Sequence, residues 1–397
     1  MKRFAVLLSL QLSLLAGCAG MQSSAPPRAV LSDAGFAPPS EPVRTDTLFE
    51  LSPAMRAYLD SPAFHALLRE HGARFGLVEA LYRKTDLQIE YESSITRTAA
   101  ETYAARSGNC LSLVIMTAAF AKALDMPVRF QNIEAESVWS REGGLFLASS
   151  HVNITLGERR RPNVATLDEA STLLVDFIPR DEAARLRTRP LDEGDIVALF
   201  MNNRAAEMLV QGRLDDAYWW ARGAVEKRPG AVVALNTLGV IYQRRGKLAQ
   251  AEQAFLAALA REPENIAALR NLHPVLVALG KADAAQELAQ RIARFDPVPP
   301  YRYFDEGMLA LQAGDAAKAK GLFEREVKRS PFNDEFRFWL GVAHFRLGEL
   351  RSAREQMARA VENSPRREAR ELYSAKLAYL RQIAVEGRSS AQPSGYR

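Results

Sequence analysis

Only two cysteines, Cys18 and Cys110, occur in 397 residues, and that scarcity excludes a disulfide framework. No Cys-x-x-Cys is present, so thiol–disulfide exchange lacks a resolving partner and a redox role ranks low. The five histidines, His65, His71, His151, His273 and His344, show no metal-ligand set, and no cofactor is expected. A basic footprint for nucleic acid is also missing: the net charge of +5 falls to +3 once Lys2 and Arg3 are set aside, over a chain that is one quarter charged. One apolar run lies at the start of the chain. There Met1-Lys2-Arg3 precedes an apolar stretch from Phe4 to Leu15, the pattern of a signal peptide and not of a membrane span.

Leu15-Ala16-Gly17-Cys18 follows that stretch at once and resembles the lipobox of bacterial lipoproteins. The resemblance implies cleavage after residue 17, lipid attachment at Cys18 and, because Ala19 is not the Asp associated with inner-membrane retention, the periplasmic face of an outer membrane. Residues 19–46 carry Ser23-Ser24, Pro26-Pro27, Pro38-Pro39 and Pro42 without an apolar period. They read as a disordered tether with a root-mean-square span of about 30 Å.

From 47 to 191 the pattern is mixed. Helical stretches are expected at Ser52 to Leu59, Ala63 to His71 and Leu77 to Arg83, and strands at Leu87 to Tyr91, Val128 to Ile133, Leu145 to Leu156 and Thr172 to Ile178. Leu111 to Leu124 is apolar almost all round, with Lys122 its one charge, which predicts a helix packed on more than one side. The expected class is an α+β domain around one central helix.

The remainder is periodic. Gly212, Gly246, Gly280, Gly314 and Gly348 stand 34 residues apart, and so do Ala217 to Ala353 and Pro229 to Pro365 in five copies each. The period and the placing of Leu238-Gly239, Tyr242, Ala251, Phe255 and Pro263 resemble the tetratricopeptide repeat, a helix-turn-helix unit. Units starting at Ala198, Val232, Ile266, Pro300 and Asp334 give five repeats over 198–365, a capping helix over 366–385 and a disordered tail over 386–397. The glycines and alanines are read as small residues that let helices approach. The inner face is expected to present Asn202, Asn236, Arg270, Phe304 and Phe338, with Gln243, Leu311 and Phe345 beside them, to a protein or peptide partner. Pro274 falls inside a helix of the third unit and is expected to bend it. Trp219-Trp220 is expected to pack against the preceding domain.

Cys110 lies in Arg106-Ser-Gly-Asn-Cys110, followed by the apolar helix, by His151 after 41 residues and by Asp176 after a further 25. Gly108-Asn109 suits a sharp entry that leaves Cys110 in the first helical turn, where unsatisfied N–H groups and the helix dipole favour a thiolate. His151 lies off the face of Val152, Ile154 and Leu156, and Asp176 sits in an apolar run where an unpaired carboxylate is costly. Over roughly residues 85 to 180 the chain resembles the transglutaminase-like superfamily. That resemblance implies a papain-like Cys/His/Asp arrangement with Cys110 as nucleophile, His151 as base and Asp176 as orienter. Tyr103 and Thr102 are oxyanion candidates by position.

Two functions of different class follow. One is a membrane-anchored periplasmic thiol enzyme that cleaves or transfers an amide through an acyl-Cys110 intermediate, the acceptor being water or an amine, with the repeats recruiting substrate or partner. The alternative is a non-catalytic cell-envelope scaffold or assembly lipoprotein acting through its repeats.

Overall fold

The computed structural model describes residues 30–82, 87, 89–92, 95–142, 145–158, 172–175, 187–364 and 367–389. Among the described residues the first four helices are α1 (Pro53–Leu59), α2 (Pro62–Tyr82), α3 (Ala99–Ala105) and α4 (Cys110–Ala123). Ser52 and Thr98 cap α1 and α3, and Gly72 at φ 78° divides α2 into the two stretches its sequence suggests. Two short strands, β1 (Glu90–Tyr91) and β2 (Ser107–Gly108), pair in parallel across the entry to α4. Strands β3 (Val128–Glu142), β4 (Leu145–Leu156), β5 (Leu173–Val175) and β6 (Arg187–Leu191) form an antiparallel sheet in the order β5-β4-β3-β6. Strand β6 escapes sequence reading because Arg-Thr-Arg-Pro-Leu is polar and carries a proline, which an edge strand tolerates.

Helix α4 packs on β4, and eleven of its residues, Leu111 to Ala121, are buried, so it is the centre of this region. The sheet is covered more fully than a strand with one polar face suggests. Asn153 and Thr155 of β4 are buried along with Val152, Ile154 and Leu156.

Ten helices follow as five pairs: α5 (Glu193–Val210) with α6 (Leu214–Lys227), α7 (Val232–Arg244) with α8 (Leu248–Leu259), α9 (Ile266–Ala278) with α10 (Ala282–Phe295), α11 (Arg302–Gln312) with α12 (Ala316–Arg329), and α13 (Asp334–Arg346) with α14 (Leu350–Asn363). The glycines repeating every 34 residues are not contact residues. All five have φ between 72° and 82°, and a Cβ at any of them would meet nothing within 4 Å, so they are needed for the left-handed turn between paired helices. Close approach is the work of a different set. A Cβ on Gly239 would lie 2.5 Å from the Phe255 ring, and one on Gly307 would lie 2.6 Å from Phe323. In the third unit the corresponding positions are His273 and Ala289, large and small exchanged, and in the first they are Ala205 and Ala221, both small. Helix α9 continues across Pro274, which lies inside it.

Two boundaries expected from the sequence are corrected. Helix α15 (Arg367–Ser389) continues into the stretch expected to begin a disordered tail at 386. The proposed tether is ordered from Val30 onward and docked on the first two repeat units. Phe36 stacks on Tyr218, centroids 3.9 Å apart, and the Arg245 guanidinium lies 5.0 Å from the Phe36 ring centroid. Tyr218 donates to Asp33 at 2.5 Å, Ser32 N–H to Tyr242 at 2.8 Å, Ser40 N–H to Asp216 at 2.7 Å and the Trp219 indole to the Ala37 carbonyl at 2.7 Å. Burial opposes the Asp216 charge, but Ser40 and Arg213 outweigh it and hold the carboxyl below its usual range. Proline excluded regular structure here, as composition implies; single side chains then fixed an irregular strap in place. Trp219 holds this strap, and Trp220 packs edge-on against Phe200 of α5.

One apolar core joins the strap, the α+β region and the first three repeat units, from Val30 and Phe36 through Phe120 and Ile154 to Tyr242 and Leu288. Tyr301, Phe304, Phe323 and Phe336 form a second core, and Phe338, Met357, Tyr373 and Leu377 a third.

Candidate functional site around Cys110 and the repeat groove

Cys110 is the first residue of α4, half-buried and outside any disulfide. Asn109 is the N-cap, its side-chain oxygen accepting the Ser112 N–H at 2.9 Å and the Ser112 hydroxyl at 2.8 Å. The sharp entry is built as Gly108-Asn109 suggests, with a different division of labour. The left-handed residue is Arg106 at φ 54°, whereas Gly108 is required for room: a Cβ there would lie 2.7 Å from that of Ser112 and 3.2 Å from Thr102 Cγ2.

Across this entry lies Tyr91, paired with Gly108 through β1 and β2, while Glu92 N–H donates to the Gly108 carbonyl at 3.0 Å. The Cys110 backbone N–H donates to the Tyr91 phenol oxygen; burial, with the Cys110 sulfur close by, pushes that phenol above its ordinary value of 10. Tyr91 therefore occupies a donor that a reacting oxygen would need. The oxyanion candidates chosen by position are engaged elsewhere. Thr102 donates its hydroxyl to the Thr98 carbonyl at 2.7 Å, and Tyr103 packs between Tyr58 and Phe120.

Helix α4 and strand β4 bring Cys110 and His151 onto packed elements, His151 pairing with Ile133 of β3. The His151 side chain and all of Asp176 lie outside the described residues; the last described residue of β5, Val175, pairs with Ile154. Among the described residues no group of His, Cys, Asp and Glu could hold a metal ion, and no helix is long and apolar enough to cross a membrane.

Two polar routes lead from this entry into the repeats. Asn109 donates to Thr96 Oγ1 at 2.7 Å, Thr96 N–H donates to Glu207 of α5 at 2.7 Å, and Arg204 pairs with Glu207 at 2.7 Å. Burial raises the Glu207 carboxyl above its ordinary value of 4.5 despite those partners. On the other side Arg370 of α15 donates to the Tyr91 carbonyl at 3.2 Å and to the Ser364 carbonyl at 2.9 Å. None of Tyr91, Thr96, Glu207 and Arg370 carries a sequence signal for this role, because each acts as a single side chain far along the chain from its partner.

Several inner-face positions are committed to structure. Phe304 and Phe338 are buried, the latter stacked on Tyr373 at 4.6 Å, and Arg270 is bound to Asp296 at 2.6 Å. Three first helices leave an apolar side chain open at one repeat position, Val277 at 57% and Phe345 at 37% exposed with Leu311 half-buried, whereas the second unit has the half-buried Gln243 there.

Tetratricopeptide-repeat models match residues 232–265 and 304–368. The C-terminal half of the chain carries tetratricopeptide repeats. Both matched stretches lie in the array. Cellulose synthase operon protein C of Pseudomonas fluorescens (strain SBW25) is 31% identical over 147 residues, 35% of this chain; the chain covers 11% of that relative's length. Among solved structures, TTC0263, a thermophilic TPR protein of Thermus thermophilus, is 21% identical over 46% of this chain and 99% of its own, with a TM-score of 0.28. The pilF protein of Pseudomonas aeruginosa is 19% identical over 50% of this chain and 90% of its own, also with a TM-score of 0.28.

Proposed function

We propose that this protein is a cell-envelope scaffold, lipid-anchored through Cys18 on the periplasmic face of the outer membrane, whose tetratricopeptide repeats hold a protein or peptide partner. The observation that carries this reading is the open apolar line Val277, Leu311 and Phe345 on successive first helices, which a peptide or a partner helix can cover. A photo-crosslinking side chain placed in turn at 277, 311 and 345 is expected to give one adduct of constant size in cells. The adduct should disappear in Val277→Asp/Phe345→Asp. An identical adduct from outward-facing position 294 would sink the reading, as would none at all.

A second reading rests on the placing of Cys110 in the first turn of α4, where helix N–H groups favour a thiolate. In it a transglutaminase-like domain attacks an amide carbonyl with the Cys110 thiolate, His151 protonates the departing amine with Asp176 orienting it, and water or a second amine takes the acyl group from sulfur. Alkylation of Cys110 at pH 6, fast in the protein with Cys18→Ser and lost in His151→Ala, is the expected result. Labelling that rises only near pH 8.5 and ignores both His151→Ala and Asp176→Ala would remove this reading.

A further inference from the structure

The stacking of the repeats is interrupted at one joint. Every other pair of consecutive helices from α5 to α15 packs closely, but α10 and α11 do not. Between them run Pro297-Val-Pro-Pro300 and Tyr301, the last at φ 64°, in the left-handed region that a bulky residue rarely adopts. Phe295 at 42% and Leu309 at 66% exposed flank the break, and the apolar core also divides there. The last two units with α15 thus form a body with its own cores, joined to the rest through a proline-rich turn.

That body returns to the beginning of the molecule. Arg370 Nη2 bridges the carbonyls of Ser364, in its own body, and Tyr91, beside Cys110. The near end of the array is fixed to the same entry through Glu207 and Thr96, within the continuous core. One end is therefore seated by packing. The other is held across the joint by polar contact.

We propose that Arg370 is a positioning residue that latches the distal repeat body over the Cys110 entrance, and that opening at the 296–301 joint frees Tyr91 and exposes the thiol. A partner drawn along the groove spans the joint between Val277 and Leu311, so its binding and access to Cys110 are coupled. The inference concerns access and does not require turnover at Cys110.

The test uses the full chain with Cys18→Ser, so that one thiol remains, and a bulky maleimide at pH 9.5, where an ordinary thiol is ionised and the rate reads access. Arg370→Gln is expected to raise the Cys110 labelling rate about tenfold and Arg370→Lys to raise it less. Pro299→Gly/Pro300→Gly, which loosens the joint without touching the latch, should also raise it, and the combination should add little to Arg370→Gln. Lys318→Ala, on the same distal body, should leave it unchanged. Rates within twofold of the parent in both Arg370→Gln and the proline variant would overturn the proposal, as would a parent whose Cys110 already labels as fast as a small free thiol. Slow labelling of the opened Arg370→Gln variant at pH 6, alongside the expected changes at pH 9.5, would remove the thiol-enzyme reading and leave the latch standing.

Discussion

The proximal and distal halves of the repeat array obey the same 34-residue rule but are stabilised differently. The first two units are covered by the strap, and α5 of the first packs on α4 and β3, so both share one core with the α+β region. Among the described residues, the apolar cores of the last two units are built from those units and α15. Repetition of sequence therefore does not imply uniform stability. Neighbours outside the repeat decide which units are firm and which turn as a body.

Removing Phe36 should have the largest effect. Phe36→Ala removes the ring that stacks on Tyr218 and meets Arg245, and a loss of about 3 kcal/mol is expected in urea denaturation. Hydrogen exchange should show the loss in α6 and α7 and leave α12 to α14 unaffected; equal loss in both halves would dissolve the distinction. Gly307→Ala is the distal counterpart, pressing a methyl into the Phe323 ring at a cost of about 2 kcal/mol. Its effect should stay beyond residue 301, read by proteolysis of the distal body before the proximal one. Asn109→Ala removes the cap of α4 and a buried partner of Thr96, and about 1–2 kcal/mol should be lost from the proximal melt.

The smallest effect concerns pH. Because burial raises the folded Glu207 carboxyl above 4.5, its favourable contribution is complete below pH 4.5 and is lost as pH climbs through the folded value. The melting temperature of the parent relative to Glu207→Gln should accordingly fall on going from pH 4 to neutrality and then level off. A difference that widens in the parent's favour with rising pH would show that the Thr96 and Arg204 bonds outweigh burial.

These contrasts also explain what the sequence made legible. The paired helices could be read because the same requirement recurs: a left-handed turn supplies glycine at 212, 246, 280, 314 and 348, and helix contact supplies alanine at 217 and its equivalents. The buried helix beginning at Cys110 was legible from the apolar composition of Leu111 to Leu124, and the sharp entry to it from Gly108-Asn109; that Asn109 is the cap was not. The strap and the two routes to the thiol were not. Phe36 on Tyr218, Thr96 on Glu207 and Arg370 on Tyr91 are contacts made once, between residues far apart, and leave no period to detect. Burial of Asn153 beside the apolar face of β4 was hidden for the same reason.

The docked strap also changes the scale on which the proposed anchoring operates. With residues from Val30 onward fastened to the first repeat units, the path from Cys18 runs through residues 19–29 alone, a length that spans at most about 40 Å fully drawn out. A lipid at Cys18 would then moor the proximal units close beneath the bilayer and leave the distal body as the part that swings outward. Such a protein would sample its surroundings as a short crane with a fixed foot, in place of a bead on a loose thread.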